Sequence, residues 1–465
     1  MEKIKFGTDG WRAIIADSFT IENLSRVAFA TAEWLKQKYP NPSAIVGYDC
    51  RFNGKLFAET TANILAQNGV KVFITPGFSS TPMISLATVR KQLSAGIIIT
   101  ASHNPPEYSG FKLKGHFGGP SFPSMVAEVE ALIPDHSVKL ENRFAELVAE
   151  KKIEYYDAEA LYINHMKESF DLNAIRNSGM KIGYDAMYGA GQNVMRKLFP
   201  DASLLHCEVN PTFHGVPPEP IEKNLGEFAA LIKAEKLSVG LVTDGDADRI
   251  GLYDENGNFV DSHHILLLLV HYLHHYKKLS GKVVVSFSAC AKLEKICALY
   301  NLPFERTKIG FKYICEIMVN ENVLAGGEES GGISVTGHVP ERDGIFIGLM
   351  LFEFMAKTGK TLTQLIEEVY ALVGAFSVQR YDLHIRQDQK EAIVKACQEG
   401  QYKQFGKYTV KEVRDLDGHK FIFDENSWVM IRASGTEPVL RVYAEAPTRE
   451  ESFAILDATK AAILN

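Results

Sequence analysis

The sequence predicts an α/β chain of repeated strand–helix modules with mixed sheets, closed by a smaller α+β segment. Three observations carry this. Short apolar runs at 44–49, 95–100, 181–185, 237–242 and 282–287 each lead into a polar or small-residue turn, the pattern of buried strands. Stretches with helical spacing, such as 21–38 and 56–68, lie between them. The tripeptide Gly-Tyr-Asp ends two of the runs, at Gly47-Tyr48-Asp49 and Gly183-Tyr184-Asp185, so the units echo one another.

In chain order, the first unit runs helix 21–38, strand 44–49, helix 56–68 and strand 95–100, where Asn104-Pro105-Pro106 stops both strand and helix. A charged stretch around 139–153 marks a boundary. Strands 181–185 and 237–242 follow, up to the turn Asp254-Glu255-Asn256-Gly257-Asn258. The run 265–270 and strand 282–287 belong to a third unit ending near Gly374. Beyond it, 379–385 and 428–432 read as strands of a small α+β domain. The expected domains are therefore 1–150, 151–255, 256–373 and 374–465, and 465 residues suit about three or four domains.

Composition narrows the function classes. A net charge of −7 advertises no basic surface for nucleic acid or membrane, so an anionic substrate must be held by local basic residues. The six cysteines form no C-x-x-C pair, which fits free thiols in a reducing, cytoplasmic compartment. The first residues lack the apolar core of a signal peptide, and the run 265–270 is far too short for a bilayer. His271 and His275 stand four apart, a metal-ligand spacing, but Tyr272 occupies the place where a zinc protease has Glu. An amphipathic helix explains that segment, and no site is assigned to it.

Four loops carry chemistry. In Thr100-Ala101-Ser102-His103-Asn104-Pro105 a hydroxyl sits on a turn at a strand end, the place where α/β proteins keep their reactive groups. In Asp244-Gly245-Asp246-Ala247-Asp248-Arg249 three carboxylates alternate after a strand, a density of like charge that needs a cation, and an all-oxygen set suits Mg²⁺ or Ca²⁺. The same segment matches an EF-hand at Asp244, Asp246, Asp248 and Glu255, but Arg249 stands where that loop requires Gly. We therefore read it as a Mg²⁺ loop. In Gly326-Gly327-Glu328-Glu329-Ser330-Gly331-Gly332 the acids would repel phosphate and suit sugar hydroxyls. In Arg432-Ala433-Ser434-Gly435-Thr436-Glu437-Pro438, followed by Arg441, guanidinium groups and hydroxyls surround a glycine, as a phosphate dianion requires. A serine, a metal loop, a hydroxyl loop and a phosphate clamp together describe an enzyme acting on a sugar phosphate.

With Phe6-Gly7-Thr8-Asp9-Gly10-Trp11-Arg12, Gly47-Tyr48-Asp49-Cys50-Arg51, Tyr108-Ser109-Gly110-Phe111-Lys112 and Thr307-Lys308-Ile309-Gly310-Phe311-Lys312 in the same order, the chain resembles the α-D-phosphohexomutase superfamily of phosphoglucomutases and phosphomannomutases from end to end. The resemblance implies three similar α/β domains and a smaller C-terminal domain around a central cleft. It implies that Ser102 is carried as phosphoserine with His103 beside it, and that Asp244, Asp246 and Asp248 hold Mg²⁺ against it. Glu328 and Ser330, with Thr307 and Gly310, would take the sugar, while Arg432, Ser434, Gly435, Thr436 and Arg441 grip the phosphate that is not reacting. Arg12 and Arg249 would add positive charge. The implied reaction interconverts hexose 1-phosphate and hexose 6-phosphate through a hexose 1,6-bisphosphate, with small sugar phosphates as the only partners and a monomer or homodimer as the working form.

Two departures bear on the base and the sugar. Dual-specificity relatives carry His directly after Ser-Gly in the sugar loop, where this chain has Gly332. The Gly310-Phe311-Lys312 loop and the segment 338–344 instead resemble the glucose-specific branch, which makes Lys312 the expected base and Lys112 the alternative. Ser109 replaces the family's usual Asn. Glucose is the expected sugar; phosphomannomutase, phosphoglucosamine mutase and a phosphoserine-dependent phosphatase are the other readings. A non-catalytic sugar-phosphate sensor could lose Ser102 or an aspartate, and none is missing.

Overall fold

The computed structural model describes residues 3–7, 9–139, 141–433 and 439–464. The first sheet orders its strands Trp11–Ile14, Tyr108–Gly115, Ala95–Ile99, Ser43–Tyr48, Lys71–Ile74, Ile153–Tyr155. The last four run parallel, and Tyr108–Gly115 is antiparallel to both its neighbours. The second sheet places Val239–Thr243 between parallel Ile182–Asp185 and antiparallel Ile250–Tyr253. In the third, Lys282–Ser286 lies between parallel Phe304–Thr307 and Val323–Gly327, with Ile333–Val335 antiparallel at the edge. The fourth is wholly antiparallel, with Val439–Ala446 between Ser377–His384 and Trp428–Ala433. This is the expected architecture of three mixed-sheet α/β domains and a distinct C-terminal one.

Local chemistry sets the helices. Thr20 caps Ile21–Lys38 by accepting from Asn23 N, and Ser80 caps Thr81–Arg90 by accepting from Met83 N. The helix Gly344–Thr358 is apolar almost all round because it is sandwiched between the second and third domains, and Leu241 packs on Gly348. The second helix spans Gly54–Gln67, close to the expected 56–68. The short edge strands Ile153–Tyr155 and Phe259–Val260 carry the first two sheets a few residues past the limits expected at 150 and 255. Two or three residues hold too little pattern to be read. The turn at 254–258 accordingly joins two paired strands of one sheet.

The histidine-rich segment is a helix, Ser262–His271, that loosens into a π turn, Tyr272–Tyr276. His271 is bonded to Tyr300 and Glu368, so its ring is satisfied within the packing. The fourth domain has its own core, including Phe421, Val429, Leu440 and Ile455, and meets the third through a small patch of Phe287, Trp428, Met430 and Tyr443. Among the described residues, no helix is long and apolar enough to cross a membrane.

Candidate active site

Ser102 lies just beyond the carboxyl end of Ala95–Ile99, with φ at +54°, a left-handed conformation that is strained for a side-chain-bearing residue. It is fully buried, and its Oγ donates to Asp244 Oδ2 at 2.7 Å. The two loops touch at the backbone: a Cβ on Gly245 would stand 2.5 Å from the Ser102 carbonyl oxygen, so only glycine fits there. His103 Nδ1 is 3.4 Å from Ser102 Oγ. Burial, then the charges of Arg249, Arg12, Lys112 and Arg51, push the His103 pKa well below its usual value.

Asp244, Asp246 and Asp248 each present an oxygen within 4.8 Å of the others. Asp246 Oδ1 and Asp248 Oδ1 are buried and accept no hydrogen bond, two carboxylate oxygens left for a cation. The donors are all oxygen, and the set fits Mg²⁺ or Ca²⁺. Glu255 is not part of the cluster, which removes the EF-hand arrangement. Lys112 Nζ reaches into the same place, 2.7 Å from Asp246 Oδ2, 2.8 Å from Asp248 Oδ2 and 3.0 Å from Asp9 Oδ2. Against the burial that would lower it, these carboxylates raise the Lys112 pKa. Burial and the neighbouring Asp246 and Asp248 lift Asp244 well above the carboxylate range, whereas Lys112 and a hydrogen bond from Thr81 overcome burial to hold Asp246 below it.

A cationic shell surrounds this cradle. Arg12 Nη1 donates to Asn104 Oδ1 at 2.7 Å, and Arg249 N donates to Asp244 Oδ1 at 3.0 Å while its guanidinium is 3.7 Å from Glu219. Arg342 bridges Asp9 of the first domain and Asp248 of the second. Lys114 pairs with Asp9 at 3.2 Å and Glu341 at 2.7 Å. Three domains are thus tied together at the Asp loop by alternating buried charges.

In the 326–332 loop, Glu328 Oε1 accepts from Gly310 N at 2.8 Å, which joins the loop to the 307–312 segment. Gly310 has φ at +133° and Thr307 is buried. Burial, reinforced by Glu329, raises the Glu328 pKa to about 7. Ser330 is half-buried beside it. Glu329 points the other way, accepting from Ser286, Ser288 and Tyr443, so it braces the loop. Lys312 lines a cavity of about 180 Å³ with Asp9, Gly10 and Ser121. In the fourth domain Arg432 pairs with Asp417 at 3.2 Å and Arg441 lies 3.7 Å from Asp382, while Ser434, Gly435 and Thr436 fall outside the described residues.

Sequence reasoning missed several members of this site. Asp9 lies in the 6–12 motif and Glu341 and Arg342 in the 338–344 segment, with no role attached to them, while Thr81 and Lys114 stand outside every motif; all five make their contacts across long stretches of chain. Arg51 lies in the 47–51 motif, to which no role was attached.

Family descriptions match along most of the chain: phosphoglucomutase/phosphomannomutase alpha/beta/alpha domain I at residues 3–140, domain II at 160–257, domain III at 261–373 and the C-terminal domain at 389–461. A phosphoglucomutase/phosphomannomutase of Thermococcus kodakarensis is 31% identical, over 97% of this chain and 96% of its own. A phosphoglucosamine mutase of Carboxydothermus hydrogenoformans is 30% identical, over 97% of each. A solved structure from Thermus thermophilus, provisionally named a phosphomannomutase, covers 100% of both chains at 33% identity with a TM-score of 0.88.

Proposed function

Because the chain belongs to the phosphoglucomutase/phosphomannomutase family, we propose that it interconverts hexose 1-phosphate and hexose 6-phosphate through a phosphorylated Ser102. The observation that carries this reading is the seat of Ser102, whose Oγ lies 2.7 Å from Asp244 at the rim of a buried carboxylate cradle. Phosphoserine there gives its phosphoryl group to the free 6-hydroxyl of a hexose 1-phosphate. The bond from phosphorus to Ser102 Oγ breaks, a bond to the sugar oxygen forms, and the hydroxyl proton passes to a base, leaving the 1,6-bisphosphate. Once the sugar has turned round, its 1-phosphoryl group returns to Ser102 and the 6-phosphate departs.

Such transfer has little covalent work for side chains beyond alignment and charge neutralisation. Asp244, Asp246, Asp248 and Ser102 would hold Mg²⁺, which when bound neutralises charge on the transferring oxygens. Arg12 and Arg249 add to that charge balance, and His103 lies beside the nucleophile. Glu328 and Ser330, shaped by Thr307 and Gly310, bind sugar hydroxyls; Arg432, Ser434, Gly435, Thr436 and Arg441 hold the far phosphate. Lys312 is the base, since Lys112 is committed as an ammonium to three carboxylates.

Gly332 and the 310–312 loop favour glucose over mannose. Glu328 and Ser330 must meet the sugar in both orientations and so read the 2-position poorly, and one hydrogen bond of about 1 kcal/mol gives roughly fivefold to tenfold discrimination. Glucosamine is the second reading, favoured by relatives that carry the glucosamine name. The test is a panel of glucose, mannose and glucosamine 1-phosphates with glucose 1,6-bisphosphate as activator, combined with intact-mass analysis. We expect one phosphate on Ser102, near-complete loss of turnover in Ser102→Ala, and the best rate with glucose 1-phosphate. Release of inorganic phosphate in place of the isomer would overturn the mutase assignment, and a strong preference for another sugar would move the chain to that branch.

A further inference from the structure

The Arg51 side chain is almost fully buried at the end of Ser43–Tyr48, the strand beside the one that leads to Ser102. Its Nη2 donates to the carbonyls of Ser102 and Asn104 at 2.7 and 2.6 Å, and its Nη1 to those of Pro105 and Tyr108 at 2.8 and 3.0 Å. One guanidinium therefore gathers four backbone oxygens from a single loop. A planar fork can do this; an ammonium, with its donors on one atom, cannot span them. Asp49 completes the device. It lies 3.3 Å from Arg51 Nε, takes the Thr100 hydroxyl on Oδ2, and Thr100 Oγ1 in turn accepts from Ser102 N at 2.9 Å. The peptide groups on both sides of the Ser102 Cα are thus held from the neighbouring strand. Phe213 of the second domain covers the guanidinium, with its ring centre 5.0 Å away.

We propose that Arg51, acting with Asp49 and Thr100, is the positioning residue that keeps the Ser102 Oγ aimed at its partner in the left-handed conformation. The loop cannot supply this itself, because φ at +54° is unfavourable for serine and two prolines follow within four residues. Arg51 touches no reacting atom. It fixes where Oγ stands relative to the Asp cradle, and a displacement of about 1 Å in such an alignment costs on the order of 100-fold in rate. The inference rests on the reading of Ser102 as phosphoryl carrier.

Arg51→Lys keeps the charge and loses the fork, and Thr100→Val removes one hydroxyl from the same device. In the full-length protein, assayed with glucose 1-phosphate and glucose 1,6-bisphosphate, each should lower kcat by about 100-fold with KM within about twofold of wild type, because the sugar and far-phosphate contacts are untouched. Rephosphorylation of Ser102 by the bisphosphate, followed by intact mass, should slow in parallel while thermal melting stays cooperative. A folded variant with near-normal kcat, or with its loss in KM alone, overturns the proposal; Thr100→Val decides the matter if Arg51→Lys does not fold. Wild-type enzyme run alongside separates the two levels: a chain active without phosphate on Ser102 refutes the underlying reading instead.

Discussion

Replacing Glu328 with Gln tests the cost of keeping this carboxylate dry. Glu328 is buried, takes one hydrogen bond from Gly310 N, and has its pKa raised from 4.5 to about 7 by burial and by Glu329. A folded-state pKa above the unfolded value means that the native protein binds the proton more tightly. Stability from this group is therefore intact below pH 4.5, falls as pH rises through the window, and is at its lowest above pH 7. A shift of that size corresponds to about 3 kcal/mol at pH 8 and to less than about 1 kcal/mol at pH 5. The neutral amide carries no such penalty and can still accept from Gly310 N. Glu328→Gln should accordingly be more resistant to denaturant than wild type at pH 8, lose that advantage at pH 5, and bind sugar phosphate more weakly at pH 8. Denaturant titrations at the two pH values, with KM at pH 8, make the check. A variant less stable than wild type at pH 8, or an advantage that persists unchanged at pH 5, would refute the reasoning.

Chelator should abolish turnover and Mg²⁺ restore it. Asp246→Asn should raise the Mg²⁺ concentration for half-maximal binding, measured by titration calorimetry, by about tenfold or more while leaving the fold cooperative; unchanged binding would remove Asp246 from the ligand set. Lys312→Met should lower kcat far more than it raises KM, as loss of the base requires; a variant impaired only in binding would remove Lys312 from that role.

Elements with strong local pattern were legible in the sequence. The 21–38 helix has the expected bounds, and the run at 95–100 ends in a strand one residue shorter, followed by the turn that seats Ser102. The Asp triad was legible because its spacing alone creates a charge problem that a cation must solve. What local reasoning could not reach were pairings set by topology. Asp9 meets Arg342 more than three hundred residues away, and Lys112 enters the Asp cradle only because its strand flanks the one that carries Ser102. The adjacent acids Glu328 and Glu329 look equivalent in sequence, yet they face opposite ways, since residues next to each other at a strand end alternate in direction.

Ser102, the 244–248 carboxylates and Glu328 follow strands of three different sheets. Glu328 and Glu329 take their hydrogen bonds from Gly310, Ser286, Ser288 and Tyr443, whereas the 244–248 carboxylates are held by Ser102, Thr81, Lys112 and Arg342. The two sets are nonetheless joined, since Ile250 N donates to the Gly331 carbonyl and the Arg342 stem packs on Gly332. A bulkier residue at Gly331 or Gly332 would therefore press on the strand that follows the carboxylates or on the arginine that holds Asp248, so a change in one loop is transmitted to the other.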